Sequence, residues 1–458
     1  MTKKLCAIAI AVGALTWATP AMAGVGSGGA GGAQIGAQIA NTQQGAVATA
    51  VSNQNAVNAN VPVSIAGGNV TAGPSSATQN ASSSAEANAS NDADTNQTQT
   101  QTQNVGGSSC SVGCGGAVAA QIGAQVADTQ QGAESTADSH QNAVNANVPV
   151  SIAGGNVTGG PSSADQTANS EAEANASNDA DTNQTQNQNQ NVGGSSSCHA
   201  GCGGAGGFQA GIQLANTQQW SDASADSHQN AVNANVPVSI AGGDIYAGPS
   251  SADQTANSEA EANASNDADT NQSQTQTQNV GGGSSCFAGC GGAGAAQIGV
   301  QHADTHQWAD ATAFSDQNAV NTNAPVSVAG GDIYAGPSSA TQNASSEAEA
   351  NASNDADTTQ RQTQTQTVGG SPSCKLGCGG PGAFQLGIQK AETDQWASAD
   401  ANSLQNAVNG NTPHSIAGGD IYAGPSSADQ SAESEAEGEA SNDADTNQAA
   451  CQDQRLGW

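Results

Sequence analysis

The chain spells the same passage five times at a spacing of 87 and then 88 residues, and this period limits its fold more than any other feature. Gln-Asn-Ala-Val-Asn begins at Gln54, Gln141, Gln229, Gln317 and Gln405, and Gly-Pro-Ser-Ser at Gly73, Gly160, Gly248, Gly336 and Gly424. Self-similarity of this kind marks an array in which each unit leans on its neighbours. The repeats run over 34–120, 121–208, 209–296 and 297–384, followed by a truncated fifth repeat and tail at 385–458. A Gly-rich linker at 24–33 precedes them. Residues 1–23 read as an export signal, with basic Lys3 and Lys4, an apolar stretch from Leu5 to Ala18 and a small-x-small cleavage site at Ala21-Met22-Ala23. The style of this signal points to a bacterium and to a secreted or cell-surface location.

Within the second repeat, Ile122, Ala124 and Val126 alternate with Gln121, Gly123 and Gln125. Val144, Ala146, Val148, Val150 and Ile152 then recur at every second position, with Asn145, Asn147 and Ser151 facing the other way. Period-two alternation predicts half-buried strands. Pro149 donates no hydrogen bond and predicts an edge or a bulge, and Gly154-Gly155 with Gly160-Pro161-Ser162-Ser163 predicts a turn. The second half alternates an acidic and amide face, from Glu171 and Glu173 to Asp179 and Asp181, with an Ala face that becomes a Gln row at Gln184 and Gln186. Its Asn, Ser, Asp and Thr compete for backbone groups and disfavour helix, so the reading is extended structure.

The expected fold class is mainly β: a repetitive array of long extended arms, solenoid-like or as stacked β-hairpins, with substantial disorder as the alternative. Disorder enters because Leu, Ile, Val and Phe make up only 53 of 458 residues, below the share at which highly charged chains fold by burial alone. Order must then come from backbone ladders, amide ladders, disulfides or assembly between chains. Trp220, Trp308 and Trp396 arrive together with Tyr246, Tyr334 and Tyr422 in repeats three to five, which would allow a stacked Trp–Tyr pair within each repeat.

The formal net charge is −33. A chain this acidic, with so few Lys and Arg, cannot form the basic patch that nucleic acid or anionic lipid requires. No second apolar stretch approaches the length of a membrane span, so no membrane insertion is expected of the mature chain. Partners are expected to be other copies of itself or divalent cations. No Gly-x-Ser-x-Gly elbow occurs, and Gly24-Val25-Gly26-Ser27-Gly28-Gly29 matches a dinucleotide fingerprint without a preceding strand. His302 and His306 lie four apart in a single repeat, and no acidic or third ligand is expected nearby. No enzyme and no cofactor are expected.

Two patterns carry candidate chemistry. Cys110/Cys114, Cys198/Cys202, Cys286/Cys290 and Cys374/Cys378 form four C-x3-C pairs at the repeat junctions. In an exported chain these are disulfide candidates, closing within each pair or between junctions, and Cys451 is left as a candidate for a link to a second molecule. The second pattern pairs Asp92/Asp94, Asp179/Asp181, Asp267/Asp269, Asp355/Asp357 and Asp443/Asp445. Asp-x-Asp-x-Asn resembles the opening of an EF-hand calcium loop, although Gln or Thr follows where the loop has Gly. Calcium is the ion this resemblance implies. Thr98-Gln99-Thr100-Gln101-Thr102 is similar to the Thr-x-Thr ladders of ice-binding solenoids, but one tract per 88 residues argues against stacking. The Gln/Asn/Thr alternation is similar in composition to curlin-like secreted amyloid repeats, without their spacing.

The functional expectation is an acidic, repetitive structural protein of the cell surface or extracellular matrix that self-assembles through β-strand and Gln/Asn ladders. The alternatives are a divalent-cation-binding repeat protein and a disordered spacer.

Overall fold

A computed structural model describes residues 30–106, 116–193, 198–200, 203–281, 286–288, 291–369 and 380–457. Each repeat forms one turn of a β-solenoid. In the second turn an outgoing arm, Ala117–Asn147, is followed by two short strands, Val150–Ala153 and Val157–Thr158, and a return arm, Ser162–Gly193. None of these strands pairs within its own coil. Each pairs in parallel with its equivalent one coil before and one coil after, without a register slip: Gln34 beside Gln121, then Gln209, Gln297 and Gln385. The result is two broad five-stranded sheets facing each other, joined along one side by two narrow ones. Of the two architectures expected, the solenoid is the one adopted. The outgoing strands begin at Ala30, Ala117, Ala205 and Ala293, so the residues just ahead of Gln34 already belong to strand.

The corner follows from local sequence. The outgoing arm ends at Asn147 and the next strand starts at Val150, so Pro149 falls in the break, where a missing donor costs nothing. Val150 N–H donates to Pro62 O of the preceding coil at 2.8 Å, which carries the ladder across the corner. A Cβ on Gly154 would lie 2.5 Å from the Gly67 carbonyl oxygen, so the stacked corner admits only glycine there.

Both arms alternate as expected, but the outgoing arm turns the other way from what hydrophobicity suggests. Its amide face points inward: Gln121, Gln125, Asn145 and Asn147 are fully buried. The Ile and Val positions point outward, exposed at Ile35, Ile39 and Val57, although Ile122 and Ala124 are themselves covered in the second coil. The return arm buries its Ala and Gln face and exposes its acids. Alanines from both sheets form the central core, including Ala174, Ala176, Ala223, Ala225, Ala262 and Ala311. Beyond them the interior is a set of amide ladders. Gln213 Nε2 reaches Gln125 Oε1 at 2.8 Å, and Gln274 Nε2 reaches Gln186 Oε1 at 2.7 Å. Gly123 stands opposite Gln186, Gln188 and Gln99, where any side chain would collide with their amides.

The two sheets are offset by half a strand. Asn145 Nδ2 donates both to Ala77 O, on the return arm of coil one, and to Asp165 O, on the return arm of its own coil, at 3.0 and 2.9 Å. Each interior arm thus rests between two arms of the facing sheet. Serine hydroxyls cross this offset in a continuous zigzag from Ser83 through Ser139 and Ser170 to Ser227 and Ser258.

Candidate functional site

Two regions of the surface have unusual physical character: the ends of the stack and the outer face of the return arms. Across the interior, the outgoing arm Ala30–Asn60 at the first end meets only the return arm of its own coil; at the other end, the return arm Ser426–Gly457 meets only the outgoing arm Gly382–Asn411. Each terminal coil therefore leaves one arm overhanging, with its strand edge and half of its inner face open. The return arm of coil five is exposed along its length on both faces. Open strand edges are templates for further pairing.

On the outer face, the in-register stack turns the five Asp-x-Asp motifs into two columns. Asp92, Asp179, Asp267, Asp355 and Asp443 form one, and Asp94, Asp181, Asp269, Asp357 and Asp445 the other. All ten candidate acids are brought together, but as a flat array on extended strands instead of five loops. The likeness to a calcium loop therefore ends at the sequence, because the backbone makes no turn around the carboxylates. An ion here would bridge adjacent coils. Like charges one strand spacing apart disfavour ionisation of both. Partial burial, reinforced by Asp179, Asp269, Asp355 and Asp181, pushes the Asp267 carboxyl up to about 6. Asp179, Asp181, Asp269 and Asp355 move in the same direction, each through desolvation first and neighbouring acids second.

The stack also supplies what sequence spacing hid around His302 and His306. His302, Asp304 and Glu392 bring one ligand atom each to within 4.8 Å of one another. His306 sits 3.3 Å from both Asp304 and Asp394. Asp304 stands two residues from each histidine in the same strand, which corrects the expectation of no acidic ligand nearby; Glu392 and Asp394 come from the next coil, where no local motif could reveal them. Lys390 pairs with Glu392 at 2.6 Å in the same patch.

The aromatics pair between coils and not within them. Tyr246, Tyr334 and Tyr422 stack with centroids 4.9 and 4.8 Å apart, and Trp308 meets Trp396 edge-on at 4.6 Å. The Trp column lines a shallow outer groove of about 670 Å³ with Gln130, Gln218, His306 and Asp394. The Thr tracts also stack at one strand spacing, since Thr100 leads to Asn187, Thr275 and Thr363. The objection that they recur too rarely to stack does not hold. Arg361 and Asn187 interrupt them instead.

Of the cysteines, Cys198 and Cys286 lie in short strands whose backbones are register partners. Cys110, Cys114, Cys202, Cys290, Cys374 and Cys378 lie outside the described residues, and with them the expected ring closures. Cys451 is free and exposed on the outer face of the last return arm.

Comparison with known proteins finds no matching family, no matching curated protein and no matching solved structure.

Proposed function

We propose that this is an exported, acidic structural protein whose copies join end to end into a fibre at the cell surface or in the extracellular matrix. The observation that carries this reading is the pair of open ends. Coil one and coil five present the same kinds of rung as the coils between them, and nothing within the described residues caps either end. A stack held by parallel strand ladders and amide ladders gains the same interactions from a further coil whichever chain supplies it. The carboxylate columns support the reading from the side, because like-charged outer faces keep neighbouring fibres from fusing laterally. The signal-like residues 1–23 support export. Electron microscopy and fibre diffraction of the mature chain, incubated at several pH values, test this: unbranched fibres with a meridional reflection near about 4.8 Å are expected. A chain that stays monomeric at every concentration and pH would contradict it.

One further observation favours a second role for the same face, the binding of divalent cations between coils. The Asp267 and Asp269 columns hold carboxylates one strand spacing apart, and a cation between them would relieve their repulsion. On the outgoing arms, the His302, Asp304 and Glu392 group forms a separate candidate site with a nitrogen donor. Calorimetric titration with calcium separates the readings: absence of heat, with fibres still forming, leaves the fibre role alone.

A further inference from the structure

We propose that copies join head to tail and in register, so that coil five of one copy receives coil one of the next as its sixth coil. This rests on the end-to-end reading above and adds its polarity and its register. In that register Gln34 of the second copy lies beside Gln385, and every later position follows by the same shift.

Hydrogen-bonding groups at the two ends are complementary only in this arrangement. Inside the fold, Ser338 Oγ donates to Asn411 Oδ1 of the following coil at 2.5 Å, and Asn411 Nδ2 donates back to Ser338 O at 2.8 Å. At the tail Ser426 occupies the Ser338 position. At the head Asn60 occupies the Asn411 position. The reciprocal pair is thus split between the two ends. Likewise, Gln360 Nε2 reaches Lys390 O of the following coil at 2.9 Å; Gln448 stands in its place at the tail, and the carbonyl of Ile39 is its counterpart at the head. The serine zigzag that runs Ser346, Ser403, Ser434 stops at the tail, and Ser52 is its first member at the head. A head-to-head or tail-to-tail contact would run the strands antiparallel and set unlike positions against each other.

Charge points the same way. The outgoing arm of coil one, Ala30–Asn60, contains no charged residue. Val47 stands in the row that holds Glu134, Asp222 and Asp310, and Val51 in the row of Asp138 and Asp226. On the return arm of coil five, Glu433, Glu435 and Glu439 would face Ser82, Ser84 and Asn88 of the second copy. Three carboxylates of the most acidic coil thereby meet neutral side chains, while Glu437, Asp443 and Asp445 meet Glu86, Asp92 and Asp94 as the equivalent acids do between coils inside the fold. Asn88 Nδ2 occupies the position from which Asn351 donates to Asn263 Oδ1 of the coil before it, here aimed at the Glu439 carboxylate. A tail-to-tail contact would instead press two acidic coils together. The contact is heterologous and does not close on itself, so it propagates as a filament.

Cys451 provides the probe. In this register it lies beside Thr100 of the second copy, at a strand spacing of about 4.8 Å, which suits a disulfide. Fibres of a Thr100→Cys variant, oxidised and mapped by mass spectrometry, should link the introduced thiol to Cys451 of the neighbour. Thr98→Cys and Thr102→Cys, displaced by two residues, should link roughly tenfold less. A Ser82→Glu/Ser84→Glu/Asn88→Glu variant should elongate about tenfold more slowly at low salt, and Glu433→Gln/Glu435→Gln/Glu439→Gln in the same chain should restore the rate. Fibres that link Cys451 to Cys451, that prefer position 98 or 102, or that link at none of the three overturn the head-to-tail register while leaving fibre formation intact. If the unaltered chain forms no fibres, the end-to-end reading falls as well.

Discussion

Gln213 shows how this interior works at the level of one side chain. Its Nε2 has Gln125 Oε1, Gln184 O and Ser273 O within 3.2 Å, and its Oε1 accepts from Gln301. A buried amide is costly unless satisfied, and a column of identical amides satisfies each member through the next. Replacing Gln213 by Leu should therefore destabilise the fold by about 2–4 kcal/mol, because Gln125 and Gln301 each lose a partner; the shift of the urea midpoint measures it. The opposite case is Thr270, whose hydroxyl is buried without a hydrogen-bond partner. Thr270→Val keeps the shape and removes the orphan, and should leave stability unchanged or raise it by up to about 1 kcal/mol. Period-two alternation was legible in the residues around Asn145. Which face lay inside was not, because a scale that ranks Val144 above Asn145 for burial ignores what a stacked neighbour does for an amide.

At the scale of the strand, the acidic face of the return arm stores repulsion that depends on pH. The Asp267 carboxyl titrates at about 6 in the folded chain against an ordinary value of 3.8. Between those values the folded state binds more protons than the unfolded one, so stability falls as pH rises through this window. Acidification from pH 7 to about pH 4 should raise the melting temperature at low salt, and Asp267→Asn should flatten part of that slope. A melting temperature that drops over the same range would count against the stacked columns. The extended arms and the Gly-Pro-Ser-Ser turn could be read from the sequence, since they depend on neighbours along the chain. The unbroken 31- and 32-residue arms could not, and Pro149, expected as an edge or a bulge within a strand, instead falls between the end of one strand and the start of the next. The partners of each strand could not be read either, since they lie a full repeat away. The same distance hid the Glu392 and Asp394 carboxylates beside His302 and His306, whereas Asp304, two residues from each, was open to a local reading. It also turned five apparent loops into two columns.

At the scale of the molecule, the period of 88 residues is the circumference of one coil, and the five coils set the axial length of a subunit. Each coil adds one strand spacing, so a chain advances a fibre by about 24 Å. Ordinary cross-β packing of the whole chain would advance it by one spacing per chain. These differ fivefold in mass per unit length, which dark-field scanning transmission electron microscopy measures on unstained fibres. For a chain of 44.4 kDa, five coils per subunit predict roughly 1.8 kDa per Å. A value near roughly 9 kDa per Å, one chain per strand spacing, would contradict the solenoid as the unit of assembly.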